Sequence, residues 1–504
     1  MKEIVVDASL NQTRVALLED GDLVEIYIER ESNRRMVGNI YKGRITNVLP
    51  GMQAAFVDIG LEKNAFLYVK DAIPSDYTES DSKSTREVSI KDVVKNGQEI
   101  IVQVTKEPIG TKGARVTTHL TFPGRYLVLM PYVNYIGVSR RIKDENERER
   151  IKKVMEEIIP NNMGVIVRTA AEGKEQKDLK EDLKFLIKLW QRIEKEKYLG
   201  FAPKTIYKDL DLLQRTVRDM FTNDIDRFVI NSKEKYDTIL ELVEWIAPQL
   251  KSRVEFFAAE TDLYDTYNIE VMIKNALSKK VWLKSGGYIV IDQTEALTAI
   301  DVNTGKYVGS VDLEDTVLKI NKEAAKEIAK QLRLRDIGGI IIIDFIDMSH
   351  PDGEKSVLEV LQQALANDRT KTNVLGITQL GLLEMTRKKV RQRISSVLQK
   401  KCPYCDGSGR VLSEHNWIHQ LEREAKRISK HTNAEAMLVE VNPFVYNALK
   451  QEEQHIQILE NEIGIKIFIK SVEDNAPEEL VIRSMGSIEK INSLLYREQL
   501  TVKR

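Results

Sequence analysis

Cysteine is scarce in this chain: two occur among 504 residues, close together, as Cys402 and Cys405. So few cysteines exclude a disulfide framework and indicate a reducing compartment. The sequence has no apolar run near the ~20 residues that a membrane-spanning helix needs. Its beginning, MKEIVVDASLNQ, lacks the basic-then-apolar order of a secretion signal. We therefore expect a cytoplasmic protein with no membrane span.

The chain also lacks a net charge of one sign, since 76 Lys and Arg face 77 Asp and Glu. A hydrophobic content of 42% and a charged content of 30% are typical of soluble proteins with large cores. The length fits roughly three domains.

One segment departs from this charge balance. Between Thr386 and Lys401 there are seven basic residues and no acidic one. Apolar residues recur at helical spacing in it, which predicts a helix with one buried and one basic face. That basic face is either a solvated surface or a contact for phosphate groups of a nucleic acid. The apolar residues are Val390, Ile394, Val397 and Leu398.

The first quarter of the chain is rich in predicted strands. Residues 1–30 alternate as an antiparallel meander that turns at Asn11 and at Asp20-Gly21-Asp22. Residues 36–120 contain five short strands, which suit a small closed barrel of the OB type. Within them, the polar, serine-rich segment 73–89 is predicted to be a mobile loop. Glycines lie at the predicted bends: Gly43, Gly51, Gly60 and Gly113.

Aromatic and basic residues are interleaved on this predicted barrel. Phe56 and Phe66 occur close to Lys42, Arg44 and Lys112. OB barrels use such combinations to stack the bases and hold the backbone of single-stranded nucleic acid. The alternative is that both phenylalanines belong to the barrel core.

The clearest α/β pattern begins at Ser285. The letters GGYIVIDQTEALTAIDVNTG predict strands at 288–292 and 296–302. A long helix is predicted from Asp312 to Arg335, ended by the segment Asp336-Ile337-Gly338-Gly339. IIIIDFID then predicts a strand of the fully buried parallel type. This β–α–β order predicts that strands 296–302 and 340–345 run parallel.

Each of these parallel strands carries an aspartate at its carboxyl end, Asp301 and Asp344. A crossover brings the carboxyl ends of parallel strands to one edge of the sheet. We therefore expect the two carboxylates to lie near one another, with Asn303 beside them and Asp347 just beyond. Two carboxylates suit Mg²⁺, which shares itself with phosphate oxygens and can activate water for in-line attack. The alternative is that each aspartate only caps a turn.

Several blocks together resemble one family. They occur in the order IYKGRITNVLPGMQAAFVDIG, GVIVRTA, TEALTAIDVN, LRLRDIGGIIIIDFIDM and CPYCDGSG. In these blocks the chain resembles the catalytic region of the ribonuclease E/ribonuclease G family, from about residue 3 to at least residue 415. The wording LPGMQAAFVDIGLEKNAFL is nearer to the ribonuclease G branch.

The resemblance implies a multidomain fold of α/β and β parts. An OB-fold barrel and a 5′-phosphate sensor would be inserted in an RNase H-like subdomain. A DNase I-like α/β catalytic subdomain, a zinc-link and a small α+β domain would follow. The implied ranges are 1–35 and 203–280 for the RNase H-like parts, 36–120 for the barrel, 121–202 for the sensor, 281–400 for the catalytic subdomain, 401–411 for the zinc-link and 416–504 for the last domain.

The resemblance also implies a Mg²⁺-dependent endoribonuclease. Its substrates would be single-stranded, A/U-rich RNAs with 5′-monophosphate ends, cut during rRNA maturation and mRNA turnover. Asp301 and Asp344 match the Mg²⁺ ligands, and Asn303 matches the residue that orients the scissile phosphate. Two further groups are implied: Phe56, Phe66 and Lys112 hold RNA on the barrel, and Arg168, Thr169 and Val128 read the 5′ phosphate.

The stretch KCPYCDGSGRV has the spacing of a zinc knuckle, but a tetrahedral zinc site needs four ligands. The resemblance implies one Zn²⁺ shared by two subunits through Cys402 and Cys405, hence a homodimer that could pair into a tetramer. An intrachain site with His415 and His419 is the alternative. A redox pair is disfavoured, because glycine-rich flanks offer no helix N-terminus to lower a thiol pKa.

Two other functions compete with the endonuclease. A non-catalytic RNA-binding or ribosome-maturation factor would use the same barrel but needs no carboxylates facing RNA. A phosphoesterase for small molecules is disfavoured by the barrel and by the basic segment.

Overall fold

A computed structural model describes residues 1–9, 11–31, 34–73, 88–108, 112–305, 313–403, 405, 407–410, 412–473 and 479–501. Most of the predicted loop at 73–89 and the predicted helix start at Asp312 lie outside these residues. The chain forms two units, Met1–Val397 and Leu398–Arg504. Among the described residues, no helix has the length and apolar character needed to cross a bilayer.

The first three strands form the predicted antiparallel meander. The turn after the second strand places Asp20 and Gly21 at φ values of 52° and 83°, a conformation that suits a tight hairpin. The apolar residues of each strand face a core shared with helices from later in the chain. The strands are β1 (Lys2–Ser9), β2 (Gln12–Glu19) and β3 (Asp22–Arg30).

The next five strands close into a barrel, as predicted. Closure follows from β4, which pairs with β5 on one side and with β7 on the other. Gly113 allows the closest approach in this barrel, because a Cβ there would lie 2.0 Å from the carbonyl oxygen of Asn64. The elements are β4 (Ile40–Leu49), β5 (Ala54–Asp58), β6 (Ala65–Tyr68), helix α1 (Ile90–Val93), β7 (Glu99–Lys106) and β8 (Arg115–Thr117).

A four-stranded sheet and two amphipathic helices follow the barrel. The sheet has the order β11–β12–β10–β9, and the helices cover one of its faces. The elements are β9 (Phe122–Pro123), β10 (Leu127–Pro131), β11 (Ile136–Val138), α2 (Glu145–Ile158), β12 (Met163–Val167) and α3 (Gln176–Glu196).

The chain then returns to its first sheet. A short strand adds to β4 of the barrel, and the next strand pairs in parallel with β1. The first sheet therefore has the order β15–β14–β1–β2–β3. Three of its strands precede the barrel and the four-stranded sheet in the chain, and two follow them. That it is RNase H-like stays a prediction. The elements are β13 (Lys204–Tyr207), α4 (Leu212–Asp219), β14 (Arg227–Ile230), α5 (Lys233–Ile246), β15 (Val254–Phe256), α6 (Leu263–Thr266) and α7 (Ile269–Ala276).

The third large sheet has the predicted hairpin and crossover. Strands β18 and β19 run parallel, connected through helix α8. The helix ends where predicted, because Asp336 takes a φ of 50° and Gly339 a φ of 106°. The sheet order is β16–β17–β18–β19–β21–β20. The elements are β16 (Lys280–Trp282), β17 (Tyr288–Gln293), β18 (Leu297–Asn303), α8 (Leu313–Leu334), β19 (Gly339–Asp344), α9 (Pro351–Leu365), β20 (Thr372–Ile377) and β21 (Leu382–Arg387).

The prediction that β19 is buried on both faces is wrong. Ile341 and Ile343 are fully buried against α8 and α9, whereas Ile340 is 51% exposed and Asp344 is exposed. The hairpin neighbours of β18 and β19 are antiparallel, so they supply no helices for the second face. The third sheet, as we call β16 to β21, therefore has one open face among the described residues.

The predicted helix in the basic segment is also largely wrong. Thr386 and Arg387 belong to β21, and the helix, α10, spans Ile394–Leu398. Arg387 is buried and bonds Asp368 at 2.7 Å and Asp336 at 2.9 Å. A charge that holds two buried aspartates cannot contact phosphate, so this segment is partly structural.

The tail of the crossover helix is tied to the first sheet. Arg333, which is 8% exposed, lies 2.9 Å from Glu25 and 3.1 Å from Glu19, both on that sheet. Tyr27 donates a hydrogen bond to Glu25, and Arg391 stacks over the Tyr27 ring at 4.0 Å. Burial acts to raise the pKa of Glu25, but Tyr27 and Arg333 outweigh it and lower the pKa.

The unit Leu398–Arg504 contains the predicted small α+β domain. Its sheet has the order β23–β22–β24. The stretch FVYNALKQEEQHIQILENEI forms two helices that break at Glu452. The elements are α11 (Glu414–His431), β22 (Ala436–Val441), α12 (Pro443–Gln451), α13 (Glu453–Ile463), β23 (Lys466–Ser471), β24 (Leu480–Gly486) and α14 (Ile488–Thr501).

The buried arginine gives a stability prediction. Replacing Arg387 with Ala leaves Asp368 and Asp336 without their shared cation, and we expect the free energy of unfolding to fall by about 3–5 kcal/mol. The exposed neighbour Lys388 is the matched control. Lys388→Ala should change the free energy of unfolding by less than about 0.5 kcal/mol. Urea unfolding measures both; equal midpoints for the two variants would show that the network is not stabilising.

Candidate active site

Asp301 and Asp344 are direct partners across the parallel pair β18–β19. Neighbouring strands lie about 4.8 Å apart, so the two carboxylates start from adjacent backbone positions. Both side chains are exposed on the open face of the third sheet, while Ile300 and Ile343 beside them point into the core. The expectation that the crossover brings these two residues together is confirmed.

Asn303 completes the group on the same face of β18. Its Nδ2 donates a hydrogen bond of 2.7 Å to Oδ2 of Asp301. This contact fixes the orientation of the Asp301 carboxylate and leaves the amide oxygen of Asn303 available. Asp347 is exposed just beyond the end of β19, as expected.

One residue that supports this edge escaped the sequence analysis. Asn321 lies on α8 and is fully buried. Its side chain accepts from the backbone N–H of Ile346 at 3.1 Å and donates to the Ile346 carbonyl at 2.8 Å. Asn321 therefore fixes the backbone two residues after Asp344. Its signal was a polar residue directly beside the apolar stripe of a predicted helix.

The donor set fits Mg²⁺ better than a closed metal site. No group of three or more His, Cys, Asp or Glu side chains placed to hold a metal occurs in the part of the chain that the structure describes. Mg²⁺ is commonly held by one or two carboxylates and keeps several waters for exchange with phosphate oxygens. Two solvent-facing carboxylates in register meet that requirement.

Phe56 and Phe66 form a pair on the outside of the barrel. They are direct partners across β5 and β6, and their rings meet edge to face at 6.1 Å. Both are half-buried, and the residues that alternate with them, such as Val57 and Leu67, form the core. The alternative that both phenylalanines are core residues is therefore wrong.

Lys112 is exposed, as is Arg44, among the three cations predicted near this aromatic pair. It lies two residues before Ala114, whose carbonyl accepts a hydrogen bond of 2.7 Å from the amide of Phe66. Lys42 and Arg44 instead bond Glu99 at 3.0 and 3.1 Å. Hydrogen bonds from these two residues lower the pKa of Glu99 to about 2. Lys42 and Arg44 therefore hold the barrel to the 200–202 segment, where Glu99 also accepts from Ala202.

Val128, Arg168 and Thr169 lie at one end of the four-stranded sheet. Val128 on β10 opposes Ile166 on β12, and Arg168 follows the end of β12. The Arg168 guanidinium donates to the Gly124 carbonyl at 2.5 Å and lies 2.7 Å from Asp219. Thr169 shares a hydrogen bond of 3.1 Å with Ser139. Strand pairing thus places Val128 opposite the last residues of chain before Arg168 and Thr169, which follow the end of β12.

Asp219 controls the charge around Arg168. Burial acts to raise the pKa of Asp219, but Arg218 and Arg168 outweigh it, so the pKa is lowered. Asp219 lies between two guanidinium groups and forms an ion pair with each of them. Sequence periodicity does not reveal this partner, since Asp219 lies on α4, far along the chain.

Cys402 and Cys405 lie in the unit Leu398–Arg504. Cys402 is exposed, and the thiol of Cys405 accepts from the backbone N–H of Gly409 at 3.3 Å. The pKa of Cys405 is lowered, mainly by the backbone amides of Gly409 and Gly407. The glycine-rich flanks offer no helix N-terminus, but the backbone N–H groups of the glycines themselves lower the thiol pKa. A lowered pKa favours the thiolate form that zinc binds.

The histidines proposed for an intrachain zinc site do not assemble one in the described residues. His419 is on α11, exposed, and 3.8 Å from Glu422. No described side chains join the two cysteines to make a group of three ligands. The side chain of His415 lies outside the described residues.

Comparison with known proteins supports the resemblance. Residues 34–117 match the S1 RNA binding domain, and residues 121–390 match the Ribonuclease E/G family. Ribonuclease G of Salmonella typhimurium strain SL1344 is 46% identical over 457 residues, which cover 90% of this chain and 93% of that protein. Ribonuclease G of Haemophilus influenzae is 44% identical over 473 residues, 93% of this chain and 96% of that protein.

A longer relative matches nearly the whole chain. Ribonuclease E of Haemophilus influenzae is 36% identical over 503 residues, which are 98% of this chain but 53% of that protein. With a family match over more than half of its length and these relatives beside it, the chain belongs to the Ribonuclease E/G family.

Proposed function

We propose that the chain is an endoribonuclease that hydrolyses single-stranded RNA at the carboxyl edge of β18 and β19. The observation that carries this proposal is the direct pairing of Asp301 with Asp344 on an open sheet face. The names of the relatives, Ribonuclease G and Ribonuclease E, support the same activity. A binding factor without catalysis would have no use for two carboxylates facing a polyanion.

In this proposal Asp301 and Asp344 would hold one Mg²⁺. When bound, the ion neutralises charge on the phosphate and makes water a better nucleophile. Asn303 keeps the Asp301 carboxylate oriented and directs its free amide oxygen and remaining N–H towards the substrate side. Asn321 holds the backbone after Asp344, so the second carboxylate keeps its position.

The barrel would supply RNA affinity. Phe56 and Phe66 offer an edge-to-face aromatic pair for bases, and Lys112 offers an exposed charge for the backbone. Stacking needs unpaired bases, so this pair would favour single strands without reading their sequence. The preference for A/U-rich RNA is proposed from the family resemblance. The substrates would be ribosomal RNA precursors and messenger RNA in the cytoplasm.

Arg168, Thr169 and Val128 would read the 5′ end of the RNA. The guanidinium of Arg168 is already oriented by Gly124 and Asp219, so it loses little freedom when it binds phosphate. Thr169 adds a hydroxyl and Val128 an apolar wall. A monophosphate, being smaller than a triphosphate, suits a site that presents a single oriented guanidinium.

The cysteine pair would join two chains through one shared Zn²⁺. Two thiolates from each chain complete the four ligands of a structural zinc site. The support is that the described part of one chain provides two ligands here and no third. A homodimer follows, and two dimers could associate into a tetramer.

The first prediction tests the carboxylates. Asp301→Asn keeps the side-chain shape but removes a negative ligand, and we expect the cleavage rate to fall by about 1,000-fold or more. The dissociation constant for RNA should change by less than about threefold. The control is Asp292→Asn, an aspartate of the same sheet paired with Lys279, which should cleave normally. Retention of cleavage in Asp301→Asn would reject the assignment of the active site.

The second prediction tests the sensor with one short unstructured RNA carrying either a 5′ monophosphate or a 5′ triphosphate. The wild type should cut the monophosphate form faster by about 10-fold to 100-fold, the range for a charge-assisted contact. Arg168→Ala should remove the difference, while Lys152→Ala, an exposed cation of the same domain, should keep it. Equal rates on both RNAs by the wild type would contradict a sensor role.

The third prediction tests the zinc link. Metal analysis should give about one zinc per two chains, because four thiolates complete a tetrahedral site. Cys402→Ser should lose the metal and dissociate in sedimentation, while His419→Ala should keep both metal and dimer. Loss of zinc from His419→Ala would instead favour the intrachain site.

A further inference from the structure

An aromatic pair and a lysine lie on the open face of the third sheet, outside the contacts described above. The rings of Trp282 and Tyr288 meet at 5.3 Å with an interplanar angle of 64°. The ammonium of Lys280 lies 4.1 Å from the Trp282 ring centre and 3.5 Å from that of Tyr288. Their neighbours Val281 and Ile289 pack in the core, so the three side chains share the open face.

These residues are aligned with the candidate active site. Trp282 is the direct partner of Tyr288, and Tyr288 is the direct partner of Asn303. In the adjacent row, Lys280 pairs with Val290, which pairs with Asp301. With about 4.8 Å between strands, Tyr288 starts about 5 Å from Asn303 and Trp282 about 10 Å from it. An RNA strand bound at the carboxylates and running across the sheet would pass over both rings.

The exposure of Trp282 is not explained by the fold. Its side chain is 60% exposed, whereas Trp190 and Trp417 are 5% and 0% exposed and fill cores. An indole on an edge strand, left in water beside a second ring, forgoes the burial that normally stabilises a tryptophan. The lysine beside the rings adds the positive charge that a phosphate backbone requires. Aromatic rings interleaved with cations are the pattern of single-strand binding.

We propose that Lys280, Trp282 and Tyr288 form a stacking platform for one nucleotide that flanks the scissile phosphate. The base stacks on the ring pair, displacing or sharing the ammonium, and Lys280 turns its N–H groups to the adjoining phosphate. The platform rests on the proposed function, because Asp301 and Asp344 define which phosphate is cut. Its role is to place that phosphate, and it takes any base with an exposed π-face.

The test uses short unstructured RNAs in which one nucleotide at a time is abasic around the bond that the wild type cuts. Binding is measured in the Asp301→Asn background, so that the RNA stays intact. We expect one position beside the cut bond to weaken binding by about 10-fold to 100-fold when its base is removed. In the double variant with Trp282→Ala, removal of that base should have no further effect. With Trp282→Phe in place of Trp282→Ala, removal of that base should again weaken binding, by most of the factor seen in the parent.

Trp245 provides the matched control. It is 79% exposed on helix α5, which packs on the first sheet, and Trp245→Ala should leave the abasic profile unchanged. If each abasic position weakens binding equally in the Asp301→Asn variant and in its double variant with Trp282→Ala, the platform is rejected. A loss of the dimer in Trp282→Ala would also reject it, because the face would then be covered by a second copy. Urea unfolding of each variant verifies that it is folded.

The outcomes separate the platform from the nuclease. If the wild type cuts RNA and the abasic profile ignores Trp282, the platform is rejected and the nuclease stands. If the wild type does not cut, the proposed function fails, and the platform is then judged by fluorescence. In a Trp245→Phe variant, stacking should quench the emission of Trp282 when the RNA binds. An unchanged emission spectrum would reject the platform.

Discussion

The parallel pairing of β18 with β19 is the constraint on which the candidate active site depends. Side chains alternate between the two faces of a strand, so a slip of one residue would turn Asp344 into the core and an isoleucine into solvent. Ile341 and Ile343 prevent that slip, because they are packed beneath α8 and α9. The hydrophobic core thus sets the register that brings the two carboxylates together.

Much of this arrangement could be predicted from the order of residues. The hairpin before Asp301, the crossover helix and the second strand follow from periodicity and from the glycines that end the helix. The four isoleucines of β19 were less informative, since an apolar run does not reveal which faces are covered. Their neighbours in the sheet decide that, and those neighbours come from antiparallel hairpins.

The errors at charged residues have a common physical cause. Lys42 and Arg44 were grouped with Lys112 as cations beside the aromatic pair, but each is paired with Glu99, although the Arg44 side chain stays 49% exposed. Arg387 was placed on a basic surface, but Asp368 and Asp336 hold it inside. Each of these anions is distant in sequence, so periodicity cannot detect the pairing. The role proposed for Arg168 came from the family resemblance alone. The CPxC spacing pointed to zinc at Cys402, and only the sharing of that zinc between two chains came from the resemblance.

The contact of Arg333 with Glu25 and Glu19 affects how the chain can vary. These ion pairs fix the crossover helix to the strands that precede the barrel, so the sheet that carries the two carboxylates and the first sheet are held together as one scaffold. The barrel and the four-stranded sheet are two insertions in that scaffold, between β3 and β14. Loops within these two insertions can therefore change in length without moving Asp301 and Asp344. A fragment of residues 281–400 would instead leave the Arg333 guanidinium without its partners Glu19 and Glu25.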